Sequence, residues 1–228
     1  MVLVDRASPR HKLDTRLKHE TGEKEEAGVG VTRLRVDIGD LDLGRALTSD
    51  SVSPRGVVGV SKHLCGAATD LTLRCLAGTL PSQRLRGLMI ALCCHHRCDW
   101  GSYVGKQFLM DQGFTRADFA LLVSMTSWAT CGFGRGKKTD IDEEAEAEHE
   151  TEDAEEFHPN DRYSRMGLSE ANREEIGRLC KRVLDCGRIE YLKHAFPTLS
   201  VQLKHYVSPD VSLENALLLC TFANAKEK

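Results

Sequence analysis

Residues 88–92 read LMIAL, a five-residue apolar run that breaks off abruptly into the polar string CCHHRCDW. Such a run is too short to cross a bilayer and too uniform for an amphipathic helix, so it predicts a strand buried on both faces. Other short runs have the same form. VLVD (Val2–Asp5) ends in an acid. Leu34, Val36 and Ile38 alternate with Arg35 and Asp37, the period of a strand. VVGV (residues 57–60) runs into SKHLCG. Helical patterns follow two of these runs. LTLRCLAG has Thr69 or Asp70 as its expected cap, with Gly78 and Pro81 closing it. Asp99 is the expected cap of a helix whose Trp100, Val104 and Phe108 share one face and which Gly113 ends. Beyond Ser169, the residues Ile176, Leu179, Cys180, Val183 and Leu184 recur at helical spacing, with Gly187 as the stop. Strands over residues 201–207 and Ala216–Phe222 flank the turn SPDVS. Alternating strand, turn and helix predict an α/β sheet covered by helices.

Charge and cysteine usage narrow the class. The chain carries 34 acidic residues, and 11 of them fall in the strip DIDEEAEAEHETEDAEE, leaving 23 against 31 Lys and Arg. A basic body with one acidic strip suits a polyanionic partner. Residues 134–160, which contain the strip, lack the apolar surface to offset their ordering entropy and are expected to form a disordered acidic insertion. The stretch from Thr15 to Gly30 reads as a charged loop. Nine cysteines, an odd number irregularly spaced, do not make a secreted disulfide framework. No stretch has the order of a secretory signal. The expected setting is intracellular, cytoplasm or nucleus, with no membrane partner. Cys75, Cys180, Cys186 and Cys220 read as small buried hydrophobes.

Ligands of open α/β sheets bind beyond the carboxyl ends of the strands, and polar residues gather at those ends here. Asp5 closes the first strand, and Asp37 and Asp40 follow the second. Lys62, His63, Cys65 and Gly66 follow the third, and residues 93–99 the fourth. Carboxylates at early strand ends suit a cofactor ribose and an adenine amino group. CCHHRC invites a zinc assignment through Cys94, Cys98 and a histidine. Neighbouring side chains of an extended segment point in opposite directions, so no metal is expected there.

The strings SKHLCGAATDLTLRCL, ALCCHHRCDWGSYVGK and SWATCGF resemble the eukaryotic tRNA:m4X modification enzymes, ribose 2′-O-methyltransferases of the tRNA acceptor stem. LVDR followed by Arg10, His11, Lys12 and Asp14, and the terminal SLENALL (residues 212–218), match as well. Parallel units followed by a terminal hairpin are the layout of Rossmann-like methyltransferases. The resemblance implies an α/β, Rossmann-like S-adenosylmethionine-dependent methyltransferase fold over residues 1–228, acting on tRNA. It implies cofactor contacts from Asp5, Asp37, Asp40, Cys65 and Gly66. Lys62, His63, His95 and His96 are the catalytic candidates, with His63 or His95 as general base. Arg97 is the expected phosphate ligand and Trp128 the expected stacking platform.

Members of that family carry zinc-finger-like segments and a glycine-rich turn resembling E-x-G-x-G-x-G ahead of the LVDR strand. Neither stands in this sequence, which implies an N-terminally truncated sheet lacking a strand between the LVDR and KHLCG strands. The chain alone is then expected to bind the cofactor weakly or not at all. Three other readings compete: a catalytically inactive RNA-binding fragment, a zinc-binding interaction protein built on CCHHRC, and a methyltransferase for a small molecule or protein.

Overall fold

The computed structural model of the 228-residue chain describes residues 1–7, 31–47, 56–130 and 166–222. The charged loop over residues 15–30 and the acidic segment over residues 134–160 therefore lie outside the described residues. Two sheets form. β1 (Val2–Asp5) and β2 (Thr32–Arg35) pair in parallel, with Asp5 opposite Arg35. β3 (Val57–Lys62), β4 (Leu85–Ala91), β5 (Leu199–His205) and β6 (Ala216–Phe222) form a mixed sheet of order β3-β4-β6-β5. β3 and β4 are parallel, while β6 runs antiparallel to both β4 and β5. The strand expected at LMIAL and the terminal hairpin are both present, but Met89 is exposed, so β4 is buried on one face among the described residues and not on both.

β2 stops earlier than its alternation implies. The Val36 amide still bonds to the Asp5 carbonyl at 3.1 Å. Asp37 then accepts from the Gly39 amide at 3.0 Å, turning the chain through a local side-chain bond that competes with the ladder. A short helix α1 (Leu43–Ala46), absent from the sequence reading, follows with Asp42 as its cap. Residues 39–43 lie along α2 (Ala67–Thr79): Gly39 approaches Leu71, the Cys75 thiol donates to the Leu41 carbonyl, and the Leu43 amide donates to Thr79 Oγ1.

Three helix boundaries differ from expectation. α2 begins at Ala67, one turn before the expected caps, with Gly66 as its cap. Thr69 instead donates to the Leu64 carbonyl, and Asp70 is fully buried for an ionic purpose described below. No helix starts at Asp99. Its carboxylate folds onto the Ser102 amide and hydroxyl, the hydroxyl bond holding it below the usual carboxylate range. α3 (Lys106–Asp111) forms only afterwards, and Gly113, at φ 83°, turns the chain beyond it. Trp100 and Phe108 pack with one apolar cluster and Val104 with another, so the three do not share a face. α4 (Arg116–Met125), missed in the sequence, starts from a reciprocal capping box between Thr115 and Asp118. α5 (Glu170–Ala195) does not stop at Gly187 but runs two further turns. A Cβ at Gly187 would collide with the Tyr103 hydroxyl, so this glycine allows close helix packing rather than termination.

The main core lies on one face of the mixed sheet. Leu88, Ile90, Leu218 and Cys220 pack there against Leu73 and Leu76 of α2 and Leu192 and Phe196 at the end of α5. Fully burying each large side chain stabilises the fold by about 1.5–3 kcal/mol. A second cluster joins α3, α4 and α5 through Tyr103, Leu109, Phe119, Cys180 and Leu184. Among the described residues, no helix is long and apolar enough to cross a membrane.

Candidate active site

The acids expected at the first strand ends stand side by side. Asp5 is exposed, and its Oδ1 accepts from the Ala7 amide at 2.8 Å. Asp37 lies past the neighbouring strand, and Arg6 reaches its Oδ2 at 3.9 Å. Asp40 is exposed in the same turn, its amide bonded to the Asp37 carbonyl. Each of the first two carboxylates commits Oδ1 to its own turn; Oδ2 of Asp37 faces the exposed Arg6, which a hydroxyl or amino donor would have to displace.

The parallel pairing of β3 and β4, with Lys62 opposite Ala91, brings the other candidates to one side. Lys62 and His63 are exposed, and His63 adopts a left-handed backbone at φ 65°. Gly66 also has positive φ, and a Cβ there would collide with the Arg97 carbonyl. Only glycine lets these two strand-end loops lie against each other, with the Gly66 amide 3.5 Å from the Cys93 carbonyl. Cys94 is left-handed as well (φ 49°, ψ 46°), so the segment beyond β4 is not extended. The Cys65 and Cys93 sulfurs consequently meet at 3.4 Å. Burial and the neighbouring thiols push the Cys93 thiol well above its ordinary range.

The residues of CCHHRC then part company. His96 and Arg97 are exposed, whereas His95 is only 1% exposed. His95 Nε2 lies 2.9 Å from Asp185 Oδ1. An ionised carboxylate only accepts, so the shared proton sits on Nε2. Nδ1 is buried without a hydrogen-bond partner among the described residues. Arg188 completes the group, bonding Asp70 through Nε at 3.2 Å and Nη2 at 2.7 Å, and Asp185 through Nη1 at 3.0 Å. Its Nη2 also lies 3.1 Å from the Cys98 sulfur. Burial opposes ionisation of Asp185, but His95 and Arg188 outweigh it and hold the carboxyl below its ordinary value. Burial raises the Cys98 thiol to about 11, with Arg188 pulling the other way. Trp128 lies half-buried in a single turn (Thr126–Ala129) that packs on the His95–Arg97 turn.

The sequence over residues 1–221 matches the family described as Methyltransferase TRM13. The chain belongs to the TRM13 family. The relatives include the tRNA:m(4)X modification enzyme TRM13 of Saccharomyces cerevisiae, 33% identical over 96% of this chain and 49% of the relative. The human TRM13 homolog is 32% identical, covering 95% of this chain and 53% of its own length. The Yarrowia lipolytica enzyme is 37% identical, with 96% and 46% covered. This chain thus spans about half the length of the curated relatives it matches. No solved structure matches it. The resemblance read from KHLCGAATD and ALCCHHRCDW holds at the level of family.

Several residues of this TRM13 site escaped the sequence reading. Glu214 accepts from the Cys94 amide at 3.1 Å and pairs with the buried Lys181 of α5, tying the hairpin motif SLENALL to the cysteine loop. Asp70 was read as a cap, although it stands in the KHLCGAATD string. Asp185 and Arg188 gave a fainter signal: with Lys181 and Leu184 they share the buried face of α5, where charges interrupt the apolar stripe.

Proposed function

We propose that this chain carries the catalytic part of an S-adenosylmethionine-dependent methyltransferase that acts on a ribose 2′-hydroxyl in the tRNA acceptor stem. The observation that carries the reading is the TRM13 match over residues 1–221, in a chain whose candidate polar residues collect at parallel strand ends. The fold reading is Rossmann-like. In its support, β1 pairs with β2 alone and β3 with β4 alone among the described strands, which leaves room for the expected strand between β1 and β3.

The residues present fit the ribose and adenine end of the cofactor. Asp5 and Asp37 offer carboxylate oxygens to hydroxyl donors, that of Asp37 in place of the exposed Arg6, and Asp40 stands beside them for an amino donor. Gly66 keeps the loop after β3 free of a side chain, and beside it Cys65 offers its backbone. No described residue is assigned to the methionine end. When bound, S-adenosylmethionine supplies an electrophilic methyl group.

His63, exposed after β3, takes the proton of the attacking hydroxyl at an imidazole nitrogen. Lys62 beside it favours the developing negative oxygen. His95, locked on Asp185, positions the loop that carries His96 and Arg97 rather than meeting substrate itself. Arg97 holds a backbone phosphate and Trp128 offers a ring to an unstacked base. Holding the hydroxyl in line with the methyl group carries much of the rate, and rigid strand ends suit that task.

The test is to replace the matching half of the yeast relative with this chain and follow transfer of labelled methyl groups to unmodified tRNA. The hybrid is expected to methylate ribose. His63→Ala should slow turnover on the order of 10²-fold with tRNA affinity kept. Tight tRNA binding with no methyl transfer by the folded hybrid would instead favour an RNA-binding role.

A further inference from the structure

The three half-buried thiols at the ends of β3 and β4 have a use that the methyl-transfer reading does not require. Cys65 follows β3, and Cys93 and Cys94 follow β4. Their sulfurs all lie within 4.8 Å of one another, and all three cysteines are free thiols. Bonds of about 2.3 Å from a tetrahedral zinc ion place its sulfur ligands roughly 3.8 Å apart. The 3.4 Å separation of Cys65 and Cys93 lies close to that spacing, within the reach of small side-chain rotations.

Neighbouring side chains at CCHHRC would point to opposite sides only on an extended backbone, and Cys94 is left-handed. The turn brings the Cys94 sulfur round to the side of Cys93, and Cys65 arrives from the adjacent parallel strand. Glu214 holds the Cys94 amide in this conformation. Of the ligands suggested by spacing alone, Cys94 belongs to this group, whereas His95 is bonded to Asp185 and the Cys98 sulfur faces the Arg188 cation.

We infer that Cys65, Cys93 and Cys94 form a tris-thiolate site for a soft divalent ion, zinc foremost. Binding displaces three thiol protons to solvent, and the sulfurs remain at the same oxidation level. Three protein ligands leave the fourth tetrahedral position to a water or an added ligand. The site joins two strand-end loops that otherwise touch through Gly66 and Arg97, so the ion cross-links segments 28 residues apart. The inference stands apart from the methyl-transfer proposal, because metal content is read without any assay of activity.

The experiment uses the whole chain, tag-free and reduced, with metal measured by mass spectrometry. About one equivalent of zinc is expected, kept in Cys98→Ser and lost in Cys65→Ser and Cys93→Ser. Metal-free protein titrated with cobalt should develop thiolate-to-cobalt absorption that zinc abolishes. Should the serine variants fail to fold, alkylation of the wild type decides: zinc should protect Cys65, Cys93 and Cys94 and leave Cys186 reactive. Three results would each overturn the site. They are absence of both zinc and cobalt absorption, zinc retained in folded Cys65→Ser, and a Cys65–Cys93 disulfide that forms in preference to metal uptake when zinc is present.

Discussion

Arg188 is 1% exposed, yet it bears a full charge against two carboxylates and a thiol, of which Asp185 lies one turn away on α5 while Asp70 and Cys98 are remote in sequence. Its worth follows from what removal of a partner leaves behind. Asp70→Asn keeps the shape but takes away the charge opposite the guanidinium, and breaking such a buried pair costs about 3–5 kcal/mol. Chemical denaturation at neutral pH should show that loss. Asp185 adds a pH dependence. Its folded carboxyl lies below the unfolded value of about 4, so its stabilisation is present above that pH and is lost as pH falls through the lower folded value. Asp185→Asn should therefore flatten the acid limb of a stability–pH profile; an unchanged limb would place the acid sensitivity elsewhere. At this scale the sequence was only partly legible. The strand-end acids and the exposed His63 could be found from their position after apolar runs. The different fate of His95 could not, because it depends on a carboxylate 90 residues away that no periodicity reveals.

Two glycines read from sequence as helix stops, Gly78 and Gly187, both lie inside helices, and they differ in what surrounds them. A Cβ on Gly78 meets nothing within 4 Å, whereas one on Gly187 would strike Tyr103 and the Gly105 backbone. Gly78→Ala should raise stability by about 0.4–1 kcal/mol through the unfolded chain. Gly187→Ala should lower it by about 1–3 kcal/mol through overpacking, and thermal melts of the pair should move in opposite directions. Strands were legible at this scale, since short apolar runs bounded by polar turns admit few alternatives. Helix starts were less so. Asp99 and Asp70 have the chemistry of caps, but the first closes a turn on Ser102 and the second neutralises Arg188. The Thr115–Asp118 box was missed because Asp takes the place usually held by Glu or Gln.

Across the whole molecule, the described helices α2 and α5 cover one face of the mixed sheet. The opposite face carries Val58 at 65% and Val60 at 73% exposure, with Met89 beside them. A sheet with a parallel pair ordinarily buries both faces, and β3 is an edge strand among the described residues. The isolated chain should self-associate through this surface, and Val60→Lys should shift its sedimentation toward monomer with the fold unchanged by circular dichroism. The sequence hints at two covered faces through the uniform runs VVGV and LMIAL, but cannot say which segment covers the second. The Asp70–Arg188 bond, finally, has a consequence in time. It joins residues 118 positions apart, and neither charge can leave water before the other arrives. We expect its closure to follow the rate-limiting step of folding, so that Asp70→Asn speeds unfolding and leaves the folding rate nearly unchanged in stopped-flow kinetics. The bond would then set how long the native state lasts more than how fast it is reached.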